Sequence, residues 1–470
     1  MTEFMARPRT ATYFIPEFDG IQPQQEFKIK NYKKKDDTSE DIIHEYNIVS
    51  YKRDMLDDDK RGPIISFNKF TGEFPLGHAR SIIFNENNEL ISFTPPKSTD
   101  YDSFANKYNF LDPSVIVEEF IEGTMISLFY NPATTKWEIA TKSFVGANNH
   151  FFKSDGNPIT FSKMFNDICE SSGIDFHYMD KKLCYNFVFQ HPDNRIVTVI
   201  QSQQLYLISL YEIEKDEEGG WNVFEHDKAN LYSHLSSINS NFTIPIKMAC
   251  CYMKSLPQEG YMHTPYTTQA PGSTEIYDHE NASRLGYNGL CAYFTNNVPP
   301  NIMGVIVKNT VTGERTKIRN TQFEYIRNLR GNQPKLEYHY LELRKNGKLQ
   351  EFLQYYPEYS SKMYGYQQKL HTFTANLYNN YVSCYIKKQA PLYTFSNEYK
   401  THMYNVHRDV YIKELAPRKQ SMQKANIIQY VNDLPERLLM YCLNLKHRKV
   451  EEVQIQEQIQ EQLQETEAAI

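Results

Sequence analysis

The residues with chemistry to offer are cations, set at short intervals among strand-forming sequence. Lys317 and Arg319 stand two apart in GERTKIRNTQFEYIRNLRG (313–331), a spacing that puts both on one face of an extended strand. Arg80 and Lys97 bracket SIIFNENNELISF (81–93), where two β-rich runs around an Asn-rich turn predict a hairpin with a basic residue near each end. Lys142 and Ser143 lie near the end of VEEFIEGTMISLFYNPATTKWEIATKSFVGA (117–147). That stretch predicts two antiparallel strands joined at Asn131-Pro132 and entered through a tight turn at Gly123, between Glu122 and Thr124. Glycine belongs at such a turn because it adopts backbone conformations that other residues resist. The seven cysteines (169, 184, 250, 251, 291, 384 and 442) show no C-x-x-C spacing. They indicate neither zinc nor a disulfide framework and are read as reduced thiols.

The order of these pieces resembles the ATP-dependent RNA ligases of phage type, members of a nucleotidyltransferase-fold family shared with polynucleotide ligases and mRNA capping enzymes. In that family a K-x-D-G-[ST] loop supplies a lysine nucleophile; here the five positions are Phe120, Ile121, Glu122, Gly123 and Thr124. Lysine suits the task because desolvation and neighbouring cations lower its pKa and free the amine. Phe120 offers no nucleophile. The family's R-G-I-I-F hairpin and the lysine after it correspond to Arg80 and Lys97, with Ser81 in place of the usual glycine. Its Lys-Ser or Arg-Gly pair, which helps hold nucleotide or phosphates, corresponds to Lys142-Ser143.

The closest match of wording is CYNFVFQHPDNRIV (184–197) with the family's F-E-F/Y…P-x-N-R-I-V segment, whose glutamate contacts ribose; Asn186 stands there instead. An amide keeps the hydrogen bonding and loses the charge. SRLGYNGLCAYF (283–294) is matched to the family's E-G-[FYL]-V strand, with Asn288 beside Gly289 where a glutamate would help place metal. Lys317 and Arg319 fit the K-x-K/R pair that contacts triphosphate. The resemblance implies nucleotide- or phosphate-binding roles for Arg80, Lys97, Glu122, Gly123, Lys142, Asn186, Asn288, Gly289, Lys317 and Arg319. It also implies weak, non-covalent use of ATP and Mg2+, with no catalytic residue and no metal ligand retained.

The elements that position these residues read as an α+β chain. Residues 1–60, with KKK at 33–35 and DDD at 57–59, form an N-terminal extension of surface strands and loops. Residues 61–331 form an RNA ligase-like domain of antiparallel sheets, of the adenylation type, walling a cleft. Within it, 160–183 reads as a helix and a turn, and 184–213 as two strands. From 332 to 450 apolar residues recur every three or four positions, punctuated by Pro357, Pro391, Pro417 and Pro435, which predicts an all-α domain of four to six helices. The tail, 451–470, is rich in Glu and Gln, with Ile455, Ile459 and Leu463 at four-residue spacing.

Charge separates these parts. The net charge is −6, but residues 331–450 carry 18 basic and 9 acidic side chains, while 451–470 carry six Glu and no Lys or Arg. The helical third is therefore expected to attract RNA or DNA, and its interleaved Tyr and Lys could stack and neutralise a strand. The same aromatics could equally form its core. The amphipathic tail could meet a protein partner. With no apolar run of membrane length and no apolar signal core in MTEFMARPRTATYF, the expected setting is soluble and cytoplasmic.

Three functions fit this sequence. The first is a degenerate ligase that keeps the fold to bind nucleotide, nucleic-acid ends or a protein. The second is an active ligase whose nucleophile has moved to Lys97 or Lys142. The third is a structural or assembly component of a virus particle, since the EGTMI wording is similar to that of uncharacterised proteins of large DNA viruses; the location would then be host cytoplasm or virion.

Overall fold

The computed structural model describes residues 9–18, 26–35, 43–56, 64–67, 70–150, 159–217, 219–253 and 279–445. The Glu/Gln-rich tail lies outside the described residues. The chain divides into two units: Met1–His150 with Pro158–Asn328, and Phe151–Asn157 with Leu329–Ile470.

The first unit is built from antiparallel sheets. The largest orders its strands Arg9–Ile15, Trp221–His226, Gln204–Lys215, Leu183–Gln190, Thr124–Asn131, Lys136–Thr141 and Phe144–Val145, with Lys247–Met248 added in parallel to Gln204–Lys215. Leu183–Gln190 sits at its centre and is buried along nearly its whole length, because both sheet faces are covered. On one face Tyr185, Phe187 and Phe189 pack against the helix Phe161–Ser172, whose Met164, Phe165, Ile168 and Cys169 form its apolar stripe. Thr160 caps that helix by accepting from the Lys163 N–H, and left-handed Gly173 ends it. On the other face Phe129, Cys184 and Tyr211 meet Ile48, Ile82 and Phe93.

Those last residues belong to a four-stranded sheet, Phe27–Lys35, Ile43–Tyr51, Ile82–Phe84 and Leu90–Phe93. The 81–93 hairpin forms as expected, its turn held by the Asn85 side chain, which accepts from the Asn87 and Glu89 N–H groups. Residues 9–51, set apart in the sequence as an extension, contribute three strands to these two sheets.

A third sheet, Cys251–Met253, Val115–Glu119, Gly304–Asn309 and Arg315–Arg319, rests on Phe104, Leu290 and Phe294. The strand expected over 283–294 is instead part of a helix, His279–Asn296, kinked at Gly286. Tyr287, Leu290, Cys291 and Phe294 recur every three or four residues and turn one stripe toward the apolar cluster under this sheet, which is what an extended run could not do.

The second unit is helical. Its α-helices among the described residues are Leu336–Lys345, Leu349–Tyr355, Ser360–Tyr381, Asn397–Asn405, Lys424–Asp433 and Glu436–Leu443. In the longest, Leu370, Phe373, Leu377 and Tyr381 form the buried stripe. Burying such side chains contributes about 1.5–3 kcal/mol each, so this stripe, rather than helix propensity, holds the element in place. Two π-helical stretches, Val382–Ile386 and Val406–Leu415, were not anticipated. Rings line up along them: Tyr385 stacks on His407 at 4.0 Å between centroids, and His407 on Tyr411 at 5.4 Å.

A candidate phosphate-binding cleft

The candidate site is assembled from five places in the first unit. Arg315–Arg319 supplies Arg315, Lys317 and Arg319 from one face of a strand, as alternation demands. Arg80 comes from the turn before Ile82–Phe84, and Lys97 from the segment after Leu90–Phe93, where its N–H donates to Gly77 O at 2.9 Å. Lys142 occupies the turn between Lys136–Thr141 and Phe144–Val145. Phe120 follows Val115–Glu119 directly, its N–H donating to Gly304 O at 3.2 Å.

Five of the cations singled out in the sequence come together here. Lys317 Nζ lies 4.4 Å from the centre of the Phe120 ring and the Arg319 guanidinium carbon 5.7 Å from it. The Lys317 amine is pushed well below the ordinary lysine range, first by burial and then by Arg315, Arg80, Arg319 and Lys97. Lys142 lies 4.8 Å over the Tyr51 ring, and partial desolvation followed by Arg80, Arg53 and Lys97 lowers its amine to about 8. Burial, with Arg315 beside it, lowers Arg80 to about 10, still charged at neutral pH.

The arginines in this group are braced rather than free to swing, Arg80 by donating from Nη1 to Pro95 O at 3.4 Å. Arg315 donates from Nε and Nη2 to the carbonyls of Pro95 and Pro96 at 2.8–3.1 Å, and Arg319 pairs with Glu324 at 2.6 Å. Arg315, Arg53 and Tyr51 were not singled out in the sequence. Arg315 was findable, since it precedes Lys317 by two in the same alternation; Tyr51 and Arg53 were hidden because their segment was set apart as an extension.

Glu122, Asn186 and Gly123 do structural work. Glu122 is buried, and its carboxylate accepts from the Val197 N–H at 2.6 Å and the Thr198 N–H at 3.0 Å. Burial raises its pKa in spite of those bonds. Asn186 is fully buried with its amide spent inside the core: Nδ2 donates to Phe93 O at 2.9 Å and Oδ1 accepts from Ser127 Oγ at 2.8 Å. Fully enclosed, it is not exposed to a ribose. Gly123 (φ 146°) is required by close approach, because a Cβ there would sit 2.3 Å from Phe189 O. Asn288 and Gly289 lie on the 279–296 helix, not beside the cations on a strand. The strand that opens on a glycine and pairs with Arg315–Arg319 begins at Gly304 (φ 130°), where a Cβ would meet Ile318 O at 2.1 Å, and the residue before it is Met303.

Among the described residues no three or more His, Cys, Asp or Glu side chains converge to hold a metal. A lining of lysines and arginines does not fit a protein-held Mg2+. What the arrangement can do is hold phosphate oxygens, with the N–H groups that the arginines keep beyond their protein partners and with lysines as mobile point charges. A separate concavity of about 510 Å3, lined by Tyr130, Trp137, Phe176 and Lys181 among others, contains none of these cations.

No family model and no curated protein matches the sequence. Among solved structures, an archaeal ATP-dependent RNA ligase is similar at 12% identity over 72% of this chain and 67% of its own, with a TM-score of 0.33. A Naegleria gruberi RNA ligase mutant with ATP and Mn is similar at 9% identity over 64% of this chain and 98% of its own, with a TM-score of 0.31. At that level of likeness, the chemistry of this chain has to come from its own side chains.

Proposed function

We propose that the first unit is an RNA ligase-like nucleotidyltransferase relative that binds nucleotide or a phosphorylated nucleic-acid end reversibly, without covalent nucleotidyl transfer. The observation that carries this reading is the crowding of cations: Lys317 and Arg319 lie against the Phe120 ring, Lys142 lies over Tyr51, and the charges of Arg80 and Lys97 bear on both lysines. Like charges so placed repel one another and destabilise the fold, and a polyanion relieves that repulsion. Phe120 supplies an apolar wall and no amine. The ligand class is a nucleotide or polyphosphate with ATP as the first probe. The test is equilibrium binding of ATP alongside intact mass after incubation with ATP or GTP and Mg2+. Salt-sensitive binding with unchanged mass supports the reading, and a stable nucleotide adduct overturns it.

A second reading, an active ligase with a displaced lysine, draws on Lys142, whose amine is lowered to about 8. Peptide mapping of any adduct to Lys142 or Lys97 would select it.

For the second unit we propose contact with RNA or DNA. Its aromatic residues divide between roles: Tyr340, Phe352, Tyr356, Phe373 and Tyr381 are core, while Tyr364 and Tyr393 are 61% and 77% exposed and free to stack. Lys387 and Lys388 are exposed just beyond the first π-helical stretch. A protein partner for the tail is proposed on its amphipathic spacing, and deleting 451–470 should abolish that interaction.

A further inference from the structure

Lys317 stands among cations and against an aromatic ring. Arg315 and Arg319 flank it on its own strand, Arg80 and Lys97 face it from the segments on either side of the 82–93 hairpin, and the Phe120 ring closes the remaining wall. Among the described residues its amine makes no hydrogen bond and no ion pair with a carboxylate; it rests on the aromatic face of Phe120. A solvated lysine is neutral about one time in a thousand near pH 7.4, because its pKa lies roughly three units higher. An amine held next to fixed guanidinium groups and away from water is neutral far more often, and a neutral primary amine is a nucleophile toward carbonyl carbon.

We propose that Lys317 is a reactive amine that condenses with the carbonyl of a phosphate-bearing aldehyde, the neighbouring guanidinium groups holding the phosphate. The inference rests on the reading of the cleft as a phosphate site and adds a chemical class of ligand to it. The amine lone pair attacks the carbonyl carbon and forms a C–N bond, giving a carbinolamine. Loss of the former carbonyl oxygen as water leaves the imine, and a solvent proton completes the iminium. No oxidant or reductant is consumed. The step needs a neutral amine within reach of the carbonyl and no leaving group on phosphorus, so it is independent of nucleotidyl transfer, which needs in-line geometry at the α-phosphate.

The probe is pyridoxal 5′-phosphate, an aldehyde and a phosphate on one small ring, used on the full chain at limiting concentration and fixed by borohydride. Peptide mass mapping is expected to find the reduced adduct on Lys317 at least tenfold above any other lysine. Excess inorganic pyrophosphate should suppress it, and phosphate-free pyridoxal should label Lys317 at least tenfold less. Labelling spread over surface lysines with Lys317 unmodified overturns the proposal, as does equal labelling by pyridoxal. Calorimetric titration with pyrophosphate separates the two claims. If pyrophosphate binds while Lys317 stays unlabelled, the reactive amine is wrong and the phosphate cleft stands; if neither occurs, the cleft reading itself fails. Lys317→Met, which keeps an apolar stem against Phe120, should remove the adduct and leave the far-ultraviolet circular dichroism unchanged.

Discussion

Replacing Glu122 by alanine tests whether this residue is a bolt or a ligand contact. Its carboxylate receives the N–H groups of Val197 and Thr198 at 2.6 and 3.0 Å, and its own carbonyl accepts from Gln190 Nε2 at 2.9 Å. Next along, Thr124 Oγ1 accepts from Asn194 Nδ2 at 2.8 Å, so the Gly123 turn and the 190–198 loop are fastened at several points. Alanine removes the carboxylate and strands two donors, one on Val197, which is 5% exposed, and one on the partly exposed Thr198. An orphaned buried N–H costs about 1–3 kcal/mol, and water can reach Thr198, so the expected loss is about 2–4 kcal/mol. Glu122→Gln keeps one acceptor and avoids burying a charge, and should lose about half as much. Urea unfolding followed by tryptophan fluorescence reports on the correct unit, since both tryptophans, Trp137 and Trp221, lie within it. A change below about 0.5 kcal/mol for Glu122→Ala, with phosphate binding lost, would refute the structural role and return Glu122 to the ligand.

Phe120→Lys, which supplies the lysine that the sequence resemblance calls for, should yield no nucleotide adduct by intact mass, because Asn186 stays committed to Phe93 O and Ser127 Oγ and no metal-holding carboxylate cluster is found among the described residues; adduct formation would contradict this. The Lys142 amine, lowered to about 8 in the fold, binds fewer protons there than in the unfolded chain between about pH 8 and the ordinary lysine value. Its contribution to stability therefore rises with pH across that window, and the wild-type melting temperature should climb relative to Lys142→Met from pH 8 to 10, whereas a gap that is flat or shrinks contradicts the shift. Reversing two charges in the second unit, Lys387→Glu with Lys388→Glu, should weaken RNA or DNA binding and reduce its salt dependence; an unaltered slope of log affinity against log salt removes those lysines from the interface.

Much of the scaffold was legible because local signals agreed with tertiary context. The Asn-rich turn at 85–89, the glycine at 123 and the proline-punctuated helices each appear where residue chemistry puts them. The 283–294 run was misread because LCAYF fits either period, and only packing of Leu290 and Phe294 beneath the third sheet decides for a helix. The cations were legible as types and partly as places, since alternation fixed Lys317 and Arg319 on one face. Their shared crowding was not, because it depends on segments more than 200 positions apart, as when Arg315 is anchored to the Pro95 and Pro96 carbonyls. Asn186 and Glu122 show the reverse: sequence gives the polar group but not the side to which it points. The π-helical stretches need a register change that no residue type announces.

The central claim is that the cations around Phe120 form a reversible polyphosphate site, and calorimetric titration of inorganic tripolyphosphate tests it most directly. Wild-type protein is predicted to bind one equivalent in the first unit with affinity that falls steeply as salt is raised. Arg80→Met combined with Lys317→Met should weaken binding at least tenfold, with far-ultraviolet circular dichroism unchanged. Binding that is indifferent to salt, or equally tight in the doubly substituted protein, would contradict the account.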